Sequence, residues 1–140
     1  MSKPSQAEQI DAFFAGNVRR IALFGAVRQM VESLGPVEMQ VMRSQIAFGT
    51  ATKFAWVWMP LPGDRRRPPD SLVLTFGLDH PVEDPQIVEV VEPYPGRWTH
   101  HVILEREADL TDSVRQWLEE ARAFAEYRGR RRDGKRTQRS

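Results

Sequence analysis

Residues 37–59 read VEMQVMRSQIAFGTATKFAWVWM and carry the longest strand-like pattern in the chain. Val37, Met39 and Val41 alternate with Glu38 and Gln40, the period of two that a strand shows when one of its faces is buried. Met42 and Arg43 blur the alternation. Extended character resumes over residues 44–48, and Gly49-Thr50-Ala51-Thr52 makes a short turn of small residues. Phe54, Trp56 and Trp58 then share one face of a further strand, while Ala55, Val57 and Met59 on its other face are apolar too. A strand apolar on both faces lies inside a sheet covered on both sides, or has one aromatic face lining a cleft.

Helical patterns stand on either side of this sheet. Ser5 precedes Glu8 by three residues, a capping-box spacing, and Ile10, Phe13 and Phe14 give one apolar face to a short helix that stops near Gly16. Asn17 caps a second helix, in which Ile21, Phe24, Val27, Val31 and Leu34 recur at helical spacing until Gly35-Pro36 ends it. After the aromatic strand, residues 60–70 (PLPGDRRRPPD) form an exposed loop. Leu72, Leu74, Phe76 and Leu78 alternate with Val73, Thr75 and Gly77 in the next strand, and residues 87–91 make a shorter one. Pro93-Tyr94-Pro95-Gly96 is turn-rich, with Pro95 suited to the first central position. In the last strand, residues 97–105, Trp98, His100, Val102 and Leu104 face one way and Thr99, His101 and Ile103 the other. Asp109 or Thr111 caps a final helix that gathers Val114, Trp117, Leu118, Ala121, Phe124 and Ala125 on one side. The links between strands are too short for helical crossovers. The expected fold is therefore α+β: two N-terminal helices, a largely antiparallel meander of five or six strands, and a C-terminal helix packed on the sheet.

A chain of 140 residues, 41% hydrophobic, fits a single domain, assigned to residues 1–127. Residues 128–140 carry seven Lys and Arg and one acid, which leaves thirteen bases against eighteen acids, a net of −5, for the rest. The body is acidic and the tail basic; with no apolar residue to anchor it, the tail is predicted to be disordered. The absence of cysteine excludes disulfides, a thiol nucleophile and a thiolate metal site. No apolar run reaches the roughly 18–20 residues of a spanning helix, and acids interrupt the amino end where a signal peptide would be apolar. The expected location is the cytoplasm.

The stretches GPVEMQVMRSQIAF, KFAWVWMP, VEPYPGRWTHHVIL and DLTDSVRQWLEEA resemble a bacterial family known as domain of unknown function 5655. The resemblance covers approximately residues 10–127. It implies a small stand-alone or fused cytoplasmic domain without established activity, and it supplies no catalytic residues. The basic tail and the arginine loop lie outside the shared motifs.

The residues themselves argue against catalysis. No glycine-rich phosphate loop, GxSxG elbow, HExxH pair or paired-carboxylate motif is present. His100 and His101 are strand neighbours, so their rings point to opposite faces and cannot chelate one metal; structural, hydrogen-bonded roles suit them, with a ligand or proton-transfer role for one as the alternative. No catalytic residue, metal or cofactor is assigned. Trp56, Trp58 and Trp98 form either a core cluster under the helices or, if the sheet is concave, an aromatic wall with His100 beside it. Arg43 and Arg97 either hold a ligand's carboxylate or phosphate, or pair with Glu89 and Glu92.

The sequence thus predicts a non-enzymatic module that binds a small ligand or partner, its site lined by Arg43, Trp56, Trp58, Arg97, Trp98 and His100. The alternative is a nucleic-acid-associated protein using Arg65, Arg66 and Arg67 of the loop and Arg130, Arg131, Arg132, Lys135 and Arg136 of the tail, without sequence reading. A third reading is a homodimeric interaction domain that pairs through a sheet edge or through residues 7–14.

Overall fold

The computed structural model describes residues 3–64 and 67–138. Helix α1 spans Gln6–Phe13, and the Ser5 hydroxyl accepts from the Glu8 N–H at 3.1 Å, as a capping residue does. Helix α2 spans Val18–Ser33 and is capped by the Asn17 side chain, which accepts from the Arg20 N–H at 3.1 Å. Past its end, Gly35 has φ +139°, a conformation that side chains oppose, and a Cβ there would sit 3.0 Å from the Arg122 guanidinium.

Six strands follow: β1 Glu38–Val41, β2 Ile46–Gly49, β3 Lys53–Trp58, β4 Leu72–Leu78, β5 Ile87–Tyr94 and β6 Arg97–Leu104. Their order in the sheet is β1-β2-β3-β4-β6-β5, with every neighbouring pair antiparallel. The meander therefore runs unbroken from β1 to β4, after which β6 inserts between β4 and β5. The hairpin that places it there turns at Pro95-Gly96, where Tyr94 pairs with Arg97 and Gly96 has φ +77°, the type II geometry that proline followed by glycine favours.

Because β4 and β5 flank β6, the link over residues 79–86 must cross it. The Val82 N–H donates to His100 Nε2 at 3.0 Å, the Gln86 amide donates to the Asp109 carbonyl at 2.9 Å, and the Thr111 hydroxyl donates to Gln86 Oε1 at 2.7 Å. The Thr111 oxygen also accepts from the Val114 N–H, which makes it the cap of helix α3, Asp112–Gln138. Asp109 instead closes a 3₁₀ turn over Glu107–Asp109 by accepting from the N–H groups of Glu105 and Arg106.

Helices and sheet enclose one layer of apolar side chains. Phe14 meets Phe24 at a tilt and Phe24 stacks on Phe48, with ring centroids 5.6 and 6.0 Å apart, and Trp117 of α3 lies on Phe76 of β4 at 5.7 Å. Ile10 and Phe14 are buried here, so the apolar face of the 7–14 region, considered above as a dimer contact, is turned into the core. A helix of 27 residues is about 40 Å long, whereas the seven residues of β4 span about 20 Å. Helix α3 thus overshoots the sheet. Arg128 and Gly129, assigned by sequence to a disordered tail, are packed on the body, and the α3 backbone is helical through Gln138. No helix among the described residues is long and apolar enough to cross a membrane.

Candidate functional site

Register decides which predicted residues meet. Ala47, Trp56, Thr75, His101 and Glu89 are successive cross-strand partners, a single row on one face of the sheet. Phe48, Ala55, Phe76, His100 and Val90 form the next row, on the opposite face. His100 is thus on the face covered by α3, fully buried and stacked on Phe76 with centroids 5.1 Å apart. It is part of the core rather than a wall beside Trp56.

The two ends of the sheet differ in the same way. One end, formed by the last residues of β2 and β4 and the first of β3 and β6, carries Lys53, Gly77 and Arg97. The other end carries the turn over residues 42–45 and the loop over residues 59–71. Arg43 is exposed in that turn, a strand's length from Arg97, so the two cannot hold one anion. Arg67 is on the far loop as well, and Arg65 and Arg66 lie outside the described residues. The described parts of the loop and the α3 extension are therefore at opposite ends of the sheet. The side chains of Arg130, Arg131, Arg132, Lys135 and Arg136 also lie outside the described residues.

Trp56, Arg97 and Trp98 do come together. They line a groove of about 230 Å³ at the near end of the sheet, bounded by Tyr94 on one side and by Phe124 and Arg128 of α3 on the other. The Arg97 guanidinium carbon sits 5.6 Å over the Tyr94 ring, and that of Arg128 sits 4.8 Å over the Phe124 ring. Each cation lies over an aromatic shelf, which fixes its direction. Arg128 also donates to the Lys53 carbonyl at 3.4 Å. Gly77 lies on the lining between Trp56 and Thr99, and a Cβ built there would meet nothing within 4 Å. That stretch of the groove is bare backbone with open space above it. A wider cleft continues past Trp56, Arg97 and Arg128 over Lys53 and Gln40 to Glu38.

Sequence reasoning did not find Gly77, Tyr94, Phe124 or Arg128. A signal existed for the last two: Phe124 and Arg128 are four residues apart and therefore on one helical face, and Gly129 follows. Gly129 is buried against the turn after β2, where a Cβ would run into the Ala51 side chain, and the Thr52 hydroxyl donates to the Ala125 carbonyl at 3.3 Å. These contacts bring α3 close enough for Arg128 to reach the groove.

Trp58 belongs to a separate arrangement on the face of Trp56. Its indole N–H donates to the Thr75 hydroxyl oxygen at 2.8 Å, and that oxygen lies 2.7 Å from His101 Nδ1. A hydroxyl oxygen can accept twice as well as donate once, so this contact is satisfied with either Thr75 or His101 Nδ1 as the donor. Burial lowers the His101 pKa; the Glu89 charge opposes this and the Arg67 charge reinforces it. In His100, Nε2 accepts from Val82 and the proton must sit on Nδ1, which is buried without a hydrogen-bond partner among the described residues. Burial lowers its pKa too, against the opposing pull of the Phe76 and Trp98 backbones, and the neighbouring His80 and His101 charges add to the lowering. Both rings are neutral at pH 7. Among the described residues no three His, Asp or Glu side chains gather in a way that could hold a metal ion.

No curated protein and no solved structure matches the chain. A family model does, over residues 10–125, and the chain accordingly belongs to the family described as domain of unknown function, DUF5655.

Proposed function

We propose that the protein is a non-enzymatic, cytoplasmic binding module that holds a flat, anionic ligand in the groove over Gly77. The observation that carries this reading is a pair of guanidiniums, Arg97 on Tyr94 and Arg128 on Phe124, lining one groove with Gly77, which leaves open space where a side chain would stand. A planar group lying on Gly77 against Trp56 keeps its negative substituent within reach of both arginines. Among the described residues the groove's lining has no histidine, carboxylate or lysine, and it supplies walls and charge.

The test is tryptophan fluorescence and thermal shift with adenosine 5′-monophosphate, indole-3-acetate and citrate, on the parent chain and on Gly77→Val. The two aromatic anions quench fluorescence and raise the melting temperature, citrate does so far less, and Gly77→Val abolishes the response. The substitution keeps the fold, because valine suits a strand and a Cβ at this position meets nothing; interior glycine itself costs about 0.5–1 kcal/mol. An unchanged response in Gly77→Val, or none in the parent, refutes the reading.

A further inference from the structure

We propose that the anionic ligand is one nucleotide of a single-stranded nucleic acid, with its base over Gly77 against Trp56, its phosphate between Arg97 and Arg128, and the strand continuing along the α3 extension. This rests on the groove reading above and adds a polymer to it. Three observations carry it. First, the groove pairs an open aromatic surface with two cations, the combination that single strands use: bases stack on aromatic rings and the backbone runs past positive charge. A duplex cannot offer its stacked bases to a recess at the end of a sheet, so the strand must be single.

Second, the helix that carries Arg128 does not end at the groove. Its backbone continues through Gln138, and positions 132 and 136 stand one and two turns beyond 128, the second about 12 Å further along the axis. Six of the eleven residues from 128 to 138 are Lys or Arg, against one acid. Third, Arg67 on the 59–71 loop is at the other end of the sheet, so the strand's path is set in one direction, from the groove outward along α3. The acidic body does not oppose this path at the groove itself, where the charged residues of the lining are Arg97 and Arg128.

The experiment uses the full chain, a fluorescein-labelled dA12 single strand, the same sequence as a blunt duplex, and adenosine 5′-monophosphate, read by anisotropy and by tryptophan quenching. The single strand binds at least tenfold more tightly than the mononucleotide and more tightly than the duplex. With about four phosphates neutralised, its affinity falls about fifty-fold between 50 and 200 mM salt. Gly77→Val and Arg97→Gln weaken both mononucleotide and strand, whereas the triple variant Arg132→Glu/Lys135→Glu/Arg136→Glu weakens only the strand. Mononucleotide binding with no gain for the strand overturns this inference and leaves the groove reading standing. Strand binding unaffected by Gly77→Val and Arg97→Gln, or a duplex bound as tightly, also overturns it. If neither probe binds, both readings fall together.

Discussion

Acid destabilises this fold through His100, and the size of the effect follows from where its ring sits. The ring is fully buried and neutral, its Nε2 accepts the Val82 N–H, and burial holds its pKa below the ordinary 6.5. In the unfolded chain the same ring takes up a proton as pH falls through about 6.5. Because the native pKa is the lower one, the unfolded state binds more protons in this window, so stability is complete above about pH 7 and declines below it. The decline is about 1.4 kcal/mol for each pH unit between 6.5 and the native pKa, and it levels off once both states are protonated. Against a total of about 5–15 kcal/mol for a domain, a loss of that slope is easily resolved. Urea denaturation at intervals from about pH 8 to about pH 5 measures it, compared with His100→Phe, which keeps a flat ring on Phe76 but cannot titrate. The variant loses about 1–3 kcal/mol at pH 8, since the Val82 N–H on the crossing link is left without its acceptor, and its pH slope is smaller by one proton. An unchanged slope in His100→Phe, or no loss at pH 8, refutes the argument that this ring holds the link over β6.

Three other outcomes follow from the same geometry. Nitrogen-15 spectra of the histidines at about pH 7.5 show His100 in the Nδ1–H tautomer; a proton on its Nε2 contradicts the hydrogen bond drawn from Val82. Thr75→Val, nearly the same shape, strands the Trp58 indole N–H and His101 Nδ1 together and costs about 1–3 kcal/mol in chemical denaturation, whereas a loss within error shows that the trio is incidental. Gly35→Ala destabilises by about 1–3 kcal/mol, because alanine opposes φ +139° and its methyl presses on the Arg122 guanidinium; a neutral result shows that the chain after α2 can relax out of this conformation.

Most of the fold was legible because local rules act within a few residues. Ser5 and Asn17 cap the helices they precede, the alternation at residues 72–78 is a strand, and Pro95-Gly96 is a turn, each for reasons contained in the stretch itself. What sequence could not supply was pairing. That β6 rather than β5 lies beside β4 depends on a link of eight residues crossing the sheet. Its anchor, the bond from Val82 to His100, joins residues 18 apart that no periodicity connects. The end of the helix was misjudged for a different reason. The apolar rows do stop at Tyr127, but Arg128 docks through its stem and guanidinium on Phe124, and Gly129 docks by having no side chain, so neither contact registers as hydrophobic pattern.

The candidate site exposes the sharper limit of pattern reasoning. Alternation assigns Trp56 and Trp98 to opposite faces: Trp56 pairs with Thr75 and Trp98 with Leu78, three positions apart on β4. Yet both line the same groove. The rule that separates two faces holds where strands continue on either side of a residue. At the end of a sheet there is no further strand to keep the faces apart, and side chains of either parity can turn onto the same rim. A site built there recruits residues from both faces, from the hairpin beyond and from a helix that overshoots. The members a face-by-face reading finds, Trp56, Arg97 and Trp98, are those with conspicuous side chains, and the one it cannot find is Gly77, which contributes by leaving space.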